Sequence, residues 1–214
     1  MSGHGGDPFD SLPAAIAADI LSLVADASDI AACRLASRPL LAASYACSRI
    51  RLRAAAGNVA SLLGPHLRCL ELDASEGRGH PDDAAWVEEG EFDEGDDLHL
   101  TAMEAVAAWA ATAAGAALRE VAIADYWPQS CWRKAEALPV ISRFCHNLLK
   151  LRLRNAWLSV DGLRTMANLT HLTLEFIRLD DEDLTKLNEC FPCLQILNLI
   201  GVEGSRTPRL TFIS

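Results

Sequence analysis

The sequence predicts an α/β repeat fold, in which an N-terminal three-helix unit is followed by a short solenoid of about five strand–helix units. The first observation is a Leu-x-x-Leu-x-Leu register, which occurs at 148–153, 169–174 and 194–199. The second is that apolar residues at helical spacing lie between these copies, so that strands and helices alternate. One strand and one helix cannot bury their own apolar face. Successive units must therefore stack to form a shared core.

The predicted strand units extend upstream of this array. With related segments at 67–72 and 118–123 included, the units start at Leu67, Leu118, Leu148, Leu169 and Leu194. The last three starts are 21 and 25 residues apart, which resembles the period of about 20–29 residues in leucine-rich repeats. The wider gaps before Leu148 predict insertions in the first units. Stacked strands of this kind form a concave surface suited to binding another protein.

The first part of the chain contains three short predicted helices. Ser11 is the expected N-cap of the first helix, with Pro13 in its first turn, and Ser28 or Asp29 is the expected cap of the second. Pro39 limits the second helix, and a third follows. Units of this size bury little surface and commonly depend on a partner. The surplus of apolar side chains on such short helices therefore predicts contact with a second polypeptide.

Helices are also predicted between the strand units. The alanine-rich segment 101–117 is interpreted as one helix. Segments 158–163 and 179–187 are each expected to open a helix after a strand, and 140–145 to close another. Acidic residues at the start of 179–187 favour the positive end of its helix dipole.

The net charge of −10 is concentrated in one segment. Residues 76–97 contain ten acidic residues and one basic residue, interrupted by glycines, and predict a solvated surface insertion. Contact with a basic target is the alternative for this insertion, whereas its spacing does not match a calcium-binding loop. The rest of the chain lacks the basic patch that nucleic acid or an anionic membrane would require. We therefore expect neither as a partner.

Seven irregularly spaced cysteines indicate reduced thiols, since an odd set would leave one unpaired in a secreted protein. Together with the lack of a recognisable signal peptide, this predicts a location in the cytoplasm and/or nucleus. Cys190 and Cys193 form a C-x-x-C pair without a second ligand pair, and we interpret both as packing residues. No nucleophile elbow, phosphate-binding loop or metalloprotease motif is present. The sequence therefore predicts no enzyme, no metal and no cofactor.

Residues 9–45 resemble an F-box. The resemblance is carried by Leu12-Pro13, by apolar Ile16, Ile20 and Leu21, by Asp29-Ile30 and by the segment 35–40. The repeat units are similar to those of F-box/leucine-rich-repeat proteins, in which the helix commonly closes on a cysteine before the next leucine. Cys145 and Cys190 stand at that place.

This resemblance implies the substrate-recruiting adaptor subunit of an SCF-type ubiquitin ligase. Its F-box would bind a Skp-family adaptor, and through it a cullin scaffold. The subunit would act by proximity, without making or breaking bonds itself. The implied adaptor-binding residues are Leu12, Pro13, Ile16, Ile20, Leu21, Ile30, Leu35 and Leu40.

The repeats would hold an unknown target protein. Strand positions between the leucines point outward on the concave face, and Trp157 lies near the rim, where aromatic residues commonly anchor interfaces. The expected target-binding residues are Arg152, Arg154, Trp157, Thr173, Glu175 and Asn198. The alternative is a leucine-rich-repeat protein-interaction scaffold without a ubiquitin-ligase role, whose N-terminal helices only cap the stack.

The predicted domain organisation has three parts. Residues 1–8 are expected to be disordered, 9–50 to form the F-box-like helical domain, and 51–214 to form the repeat region with its acidic insertion at 76–97. The repeat pattern ends after Leu199, and the segment that follows is rich in glycine and polar residues. Because a solenoid requires a polar cap on its last repeat, we expect a shortened form of a longer repeat protein.

Overall fold

The computed structural model describes residues 7–53, 64–74, 99–125 and 133–202. The helices are α1 Ala14–Val24, α2 Ala27–Ala36, α3 Arg38–Ser44, α4 Met103–Ala110, α5 Ala113–Ala117, α6 Ala137–Phe144 and α7 Asp181–Cys190. The strands are β1 Arg49–Arg53, β2 Cys69–Asp73, β3 Glu120–Ala124, β4 Lys134–Ala135, β5 Lys150–Leu158, β6 His171–Arg178 and β7 Ile196–Ile200. The predicted disordered segment and acidic insertion lie largely or wholly outside these residues.

The described strands form one sheet in which every pairing is parallel. Its order is β1-β2-β3-β5-β6-β7, and the short β4 pairs with the end of β5. Each predicted unit contributes a strand that begins two residues after its opening leucine, as Cys69 follows Leu67 and Lys150 follows Leu148. A mixed α/β architecture with a parallel sheet of this kind is consistent with the predicted repeat.

A repeated hydrogen-bond pattern holds successive units in register. The carbonyl of Arg119 accepts bonds from the amides of Leu149 and Lys150, at 2.8 and 3.0 Å. The carbonyl of Leu149 in turn accepts from Thr170 and His171, at 2.9 and 3.0 Å. Each turn uses its carbonyl in the same way, and side chains add further bonds, such as that from the hydroxyl of Thr170 to the carbonyl of Leu149 at 3.0 Å.

The leucines of the register form the main core. Leu67, Leu148 and Leu169 are fully buried where they open their units, as are Leu153 and Leu174 within the strands. The alternating burial along β2, β3, β5 and β6 places the residues between these leucines on the opposite face. In a stacked repeat this face is expected to be the concave one, and we call it the concave face.

Strand β1 was not predicted. Its residues pair in register with β2, with Ile50 opposite Leu70 and Leu52 opposite Leu72. The segment from Cys47 follows the same register, with buried cysteine in place of the opening leucine. The predicted domain boundary between residues 50 and 51 therefore falls inside a strand of the sheet.

Two predicted helices differ in the structure. The segment 101–117 divides into α4 and α5, because the side chain of Thr112 caps a new helix by accepting from the amide of Gly115. The helix expected to open at 158–163 is absent, and turns follow β5 instead. There Gly162 adopts a left-handed φ of 78°, and the amide of Arg164 bonds to Ser142 on the preceding unit.

Helices α1–α3 have a small core of their own, formed by Ala17, Ala18, Leu21, Ile30, Leu40, Ala43 and Cys47. The predicted caps were wrong in detail. Helix α1 has Pro13 at its N-cap position and no side-chain cap, so Ser11 does not serve. The side chain of Asp26, and not that of Ser28 or Asp29, caps α2. Its carboxylate accepts hydrogen bonds from the backbone amides of Ser28 and Asp29. Ser37 caps α3. Pro39 lies in the first turn of α3, where a missing backbone N–H breaks no helical hydrogen bond.

Candidate protein-interaction surfaces

One face of α1 carries large apolar side chains that the three-helix core leaves exposed. Ile16, Ile20 and Leu23 follow at helical spacing and have exposed fractions of 47%, 44% and 85%. We call these three residues the α1 face. Leu35 at the end of α2 is 90% exposed. Large apolar side chains that follow one another along one helix face of so small a unit are typical of an interface.

The predicted adaptor-binding set divides into two groups. Pro13, Ile16, Ile20 and Leu35 are exposed and available to a partner. Leu12 is partly buried against the helical core. The remaining three, Leu21, Ile30 and Leu40, are buried within that core. These three residues support the surface from inside the core, because a partner cannot contact a side chain as buried as Leu21, which is 1% exposed. Leu23 continues the helical spacing of Ile16 and Ile20, which the sequence already indicated, but it was not among the implied adaptor-binding residues.

The outward residues of the sheet form rows across the concave face. Arg152, Thr173 and Asn198 are neighbours in one row, and Arg154 and Glu175 in the next. The structure therefore brings together five of the six residues expected to contact a target. They are exposed or partly buried.

Ion pairs run across these rows. On β5 and β6, Arg152 donates from Nη2 to Glu175 at 2.6 Å, and Arg154 Nε lies 3.7 Å from the other oxygen of the same carboxylate. On β3 and β5, Lys150 Nζ lies 2.8 Å from Glu120, whose carboxylate also contacts Arg49 at 3.4 Å. The hydrogen bond from Lys150 lowers the pKa of Glu120. The concave face thus carries many charged side chains, several of them joined in ion pairs.

Trp157 lies apart from these rows, near the end of β5. It pairs in register with Lys134 of β4 and Arg178 of β6. The guanidinium of Arg178 lies over its ring, 4.4 Å from the centroid, in a cation–π contact. The indole Nε1 is buried without a hydrogen-bond partner among the described residues. Trp157 is therefore a partly buried rim residue, packed under a cation.

The cysteines differ in exposure. Cys145 is fully buried, and burial raises the pKa of its thiol to about 12. Cys190 is partly buried against the core, as expected, and its Sγ approaches the carbonyl of Leu163 at 3.8 Å. Cys193 is exposed, which corrects its predicted packing role. Within the described ranges, no group of three potential metal ligands occurs and no helix is long and apolar enough to cross a membrane.

The parallel sheet, the repeated register and the N-terminal helices are consistent with a leucine-rich-repeat protein that carries a helical unit. The chain is 41% identical over 219 residues to an F-box/LRR-repeat protein from Arabidopsis thaliana, and the alignment covers 96% of this chain. This similarity supports assignment of the chain to the F-box/LRR family. The chain spans 49% of that relative's length. Neither a family model nor a solved structure matches the chain.

Proposed function

We propose that this chain is a substrate-recruiting adaptor subunit of an SCF-type ubiquitin ligase, acting in the cytoplasm and/or nucleus. Helices α1–α3 bind a Skp-family adaptor and through it a cullin scaffold. The concave face of the repeats binds a target protein. The subunit raises the effective concentration of the target near activated ubiquitin and carries out no chemistry itself.

The observation that carries this proposal is the α1 face. The three-helix core is closed by Leu21, Ile30 and Leu40, yet Ile16 and Ile20 remain nearly half exposed. Fully burying an exposed side chain of this size contributes about 1.5–3 kcal/mol, so covering the exposed half of each isoleucine contributes roughly half as much. A unit that served only as a cap for the solenoid would direct such residues toward the repeats.

The connection between helices and sheet also supports the proposal. The amide of Arg51 in β1 donates to the carbonyl of Ala25 at 2.7 Å, directly before α2. Nε of Arg53 contacts the carboxylate of Asp26 at 2.7 Å. These contacts join the helical unit to the first strand. A recruiting subunit requires such a connection, because a target must be held in a fixed orientation to gain from proximity.

The test is capture of a purified Skp-family protein by the full chain. In the variant Ile16→Asp/Ile20→Asp, two carboxylates would have to be buried in the interface, and we expect capture to fall at least tenfold. Leu35→Asp provides a second variant on α2. Met103→Asp is the matched control, since Met103 is equally exposed, at 44%, but lies on α4.

Capture that is unchanged in Ile16→Asp/Ile20→Asp and Leu35→Asp would contradict the adaptor role. The chain would then be a repeat scaffold without a ubiquitin-ligase role, and its concave face would remain the surface to investigate. Circular dichroism of each variant verifies that the fold is retained.

A further inference from the structure

A groove lies on the concave face over β3, where two alanines replace the larger outward residues of the neighbouring strands. Ala122 and Ala124 are in register with Glu71 and Asp73 of β2, and with two arginines of β5. Because alanine side chains end at Cβ, the space over this strand stays open. The floor of the groove is apolar, and its two walls are charged.

The wall on β5 is basic. Arg152 and Arg154 both line the groove, and both contact a single carboxylate, that of Glu175. Nε of Arg154 is buried without a hydrogen-bond acceptor among the described residues. Two guanidiniums facing one carboxylate leave a surplus of positive charge on this wall. A further carboxylate in the groove would complete the pairing.

The wall on β2 is acidic. Glu71 contacts Arg51 of β1 at 3.1 Å, on the side away from the groove. Both partners of that ion pair are partly exposed, and such pairs contribute at most about 1 kcal/mol. A basic group from a ligand therefore competes with Arg51 for the carboxylate of Glu71 at a small cost in free energy. Asp73 lines the same wall, one row along the strand.

We propose that this groove binds an extended segment of the target protein in which acidic and basic residues alternate. In an extended chain, successive side chains point to opposite sides. Acidic side chains would then meet Arg152 and Arg154, while a basic side chain between them would meet Glu71. Acidic residues recur every two positions, about 6.6 Å apart, which equals the spacing of Arg152 and Arg154 along β5. The proposal rests on the target-binding part of the function above.

The probes are two synthetic peptides of equal composition with glycine at both ends, one alternating (Lys-Glu-Lys-Glu) and one in blocks (Lys-Lys-Glu-Glu). Fluorescence anisotropy with the full chain is expected to show at least tenfold tighter binding of the alternating peptide. Binding should weaken as salt is raised, because the walls are accessible to screening ions.

Ala122→Gln fills the groove and is expected to reduce binding at least tenfold. Ala111→Gln, at an exposed position between α4 and α5, is the matched control and should bind like the wild type. Arg152→Gln/Arg154→Gln leaves the floor unchanged and should also lose binding, so the test remains decisive if Ala122→Gln fails to fold. Glu71→Gln should reduce the preference for the alternating peptide.

Equal binding of the two peptides, binding that is unaffected by Ala122→Gln, or no binding at millimolar peptide would each overturn the proposal. Binding of an all-acidic or phosphorylated peptide that is unaffected by Glu71→Gln would also overturn it, since only the basic wall would then be in use. Capture of the Skp-family protein is measured on the same variants. Failure of the groove leaves that capture intact, whereas failure of the adaptor role leaves peptide binding intact.

Discussion

Asp26 joins the helical unit to the repeat sheet through Arg53. One carboxylate oxygen of Asp26 accepts from the amides that open α2, and the other lies 2.7 Å from Nε of Arg53 in β1. Asp26 itself is almost fully buried. A single side chain therefore caps a helix and connects it to the first strand.

Asp26→Ala is expected to lower the free energy of unfolding by about 1–2 kcal/mol, chiefly from loss of the cap. Asp26→Asn retains a capping oxygen and loses only the ion pair. It should therefore cost less than about 1 kcal/mol, because Arg53 is half exposed. Urea unfolding of the full chain measures both values. Equal losses for the two variants would show that the cap contributes nothing.

Thr101 is expected to be sensitive to substitution because it satisfies a buried carboxylate. Asp125 is fully buried and accepts from the hydroxyl and the amide of Thr101, at 2.7 and 3.1 Å. Thr101→Val keeps the shape but removes the hydroxyl donor, at a cost of about 1–3 kcal/mol. Thr101→Ser keeps the donor and should cost less than about 1 kcal/mol. Thermal unfolding that ranks the two variants in the opposite order would contradict this role.

The ion pair of Lys150 with Glu120 makes stability depend on pH. The pKa of Glu120 is lowered in the folded state, so its contribution is present above the unfolded pKa of about 4.3 and is lost as pH falls through the folded value. Lys150→Met removes the largest cause of this shift. The variant should lose less stability than the wild type between about pH 7 and about pH 3 in urea titrations. Parallel losses would contradict the assignment.

Thiol alkylation is expected to follow burial. At about pH 8, iodoacetamide should modify exposed Cys193 rapidly, because the reagent reaches it freely. Cys145 should stay unmodified until the chain unfolds, since its pKa of about 12 and its burial suppress the thiolate. Peptide mass spectrometry resolves the two sites. Equal rates in the native chain would contradict the burial of Cys145.

The strands of the sheet were largely predictable, because their leucines recur with a fixed register that only a stacked repeat requires. Strand β1 was missed, since its opening position is Cys47 and its outward residues are three arginines. In the sequence, three arginines so close together are typical of an exposed loop. In the fold, Arg51 forms an ion pair with Glu71 of the neighbouring strand β2. Sequence spacing alone does not reveal that pairing.

The helices and the groove were harder to predict. The apolar residues at 158–163 match a helical pattern, but Gly162 and the bond from Arg164 to Ser142 stabilise turns there instead. The outward rows of charge followed from strand alternation. The groove did not, because it depends on which strands neighbour Ala122, and that order emerges only from the fold.

Hydrogen–deuterium exchange of the full chain, with and without a purified Skp-family protein, tests the central claim most directly. If the α1 face is the adaptor interface, new protection should appear in residues 14–36, while the strands from 134 to 200 exchange as before. Protection confined to the strands, or no protection in either region at saturating partner, would contradict the account.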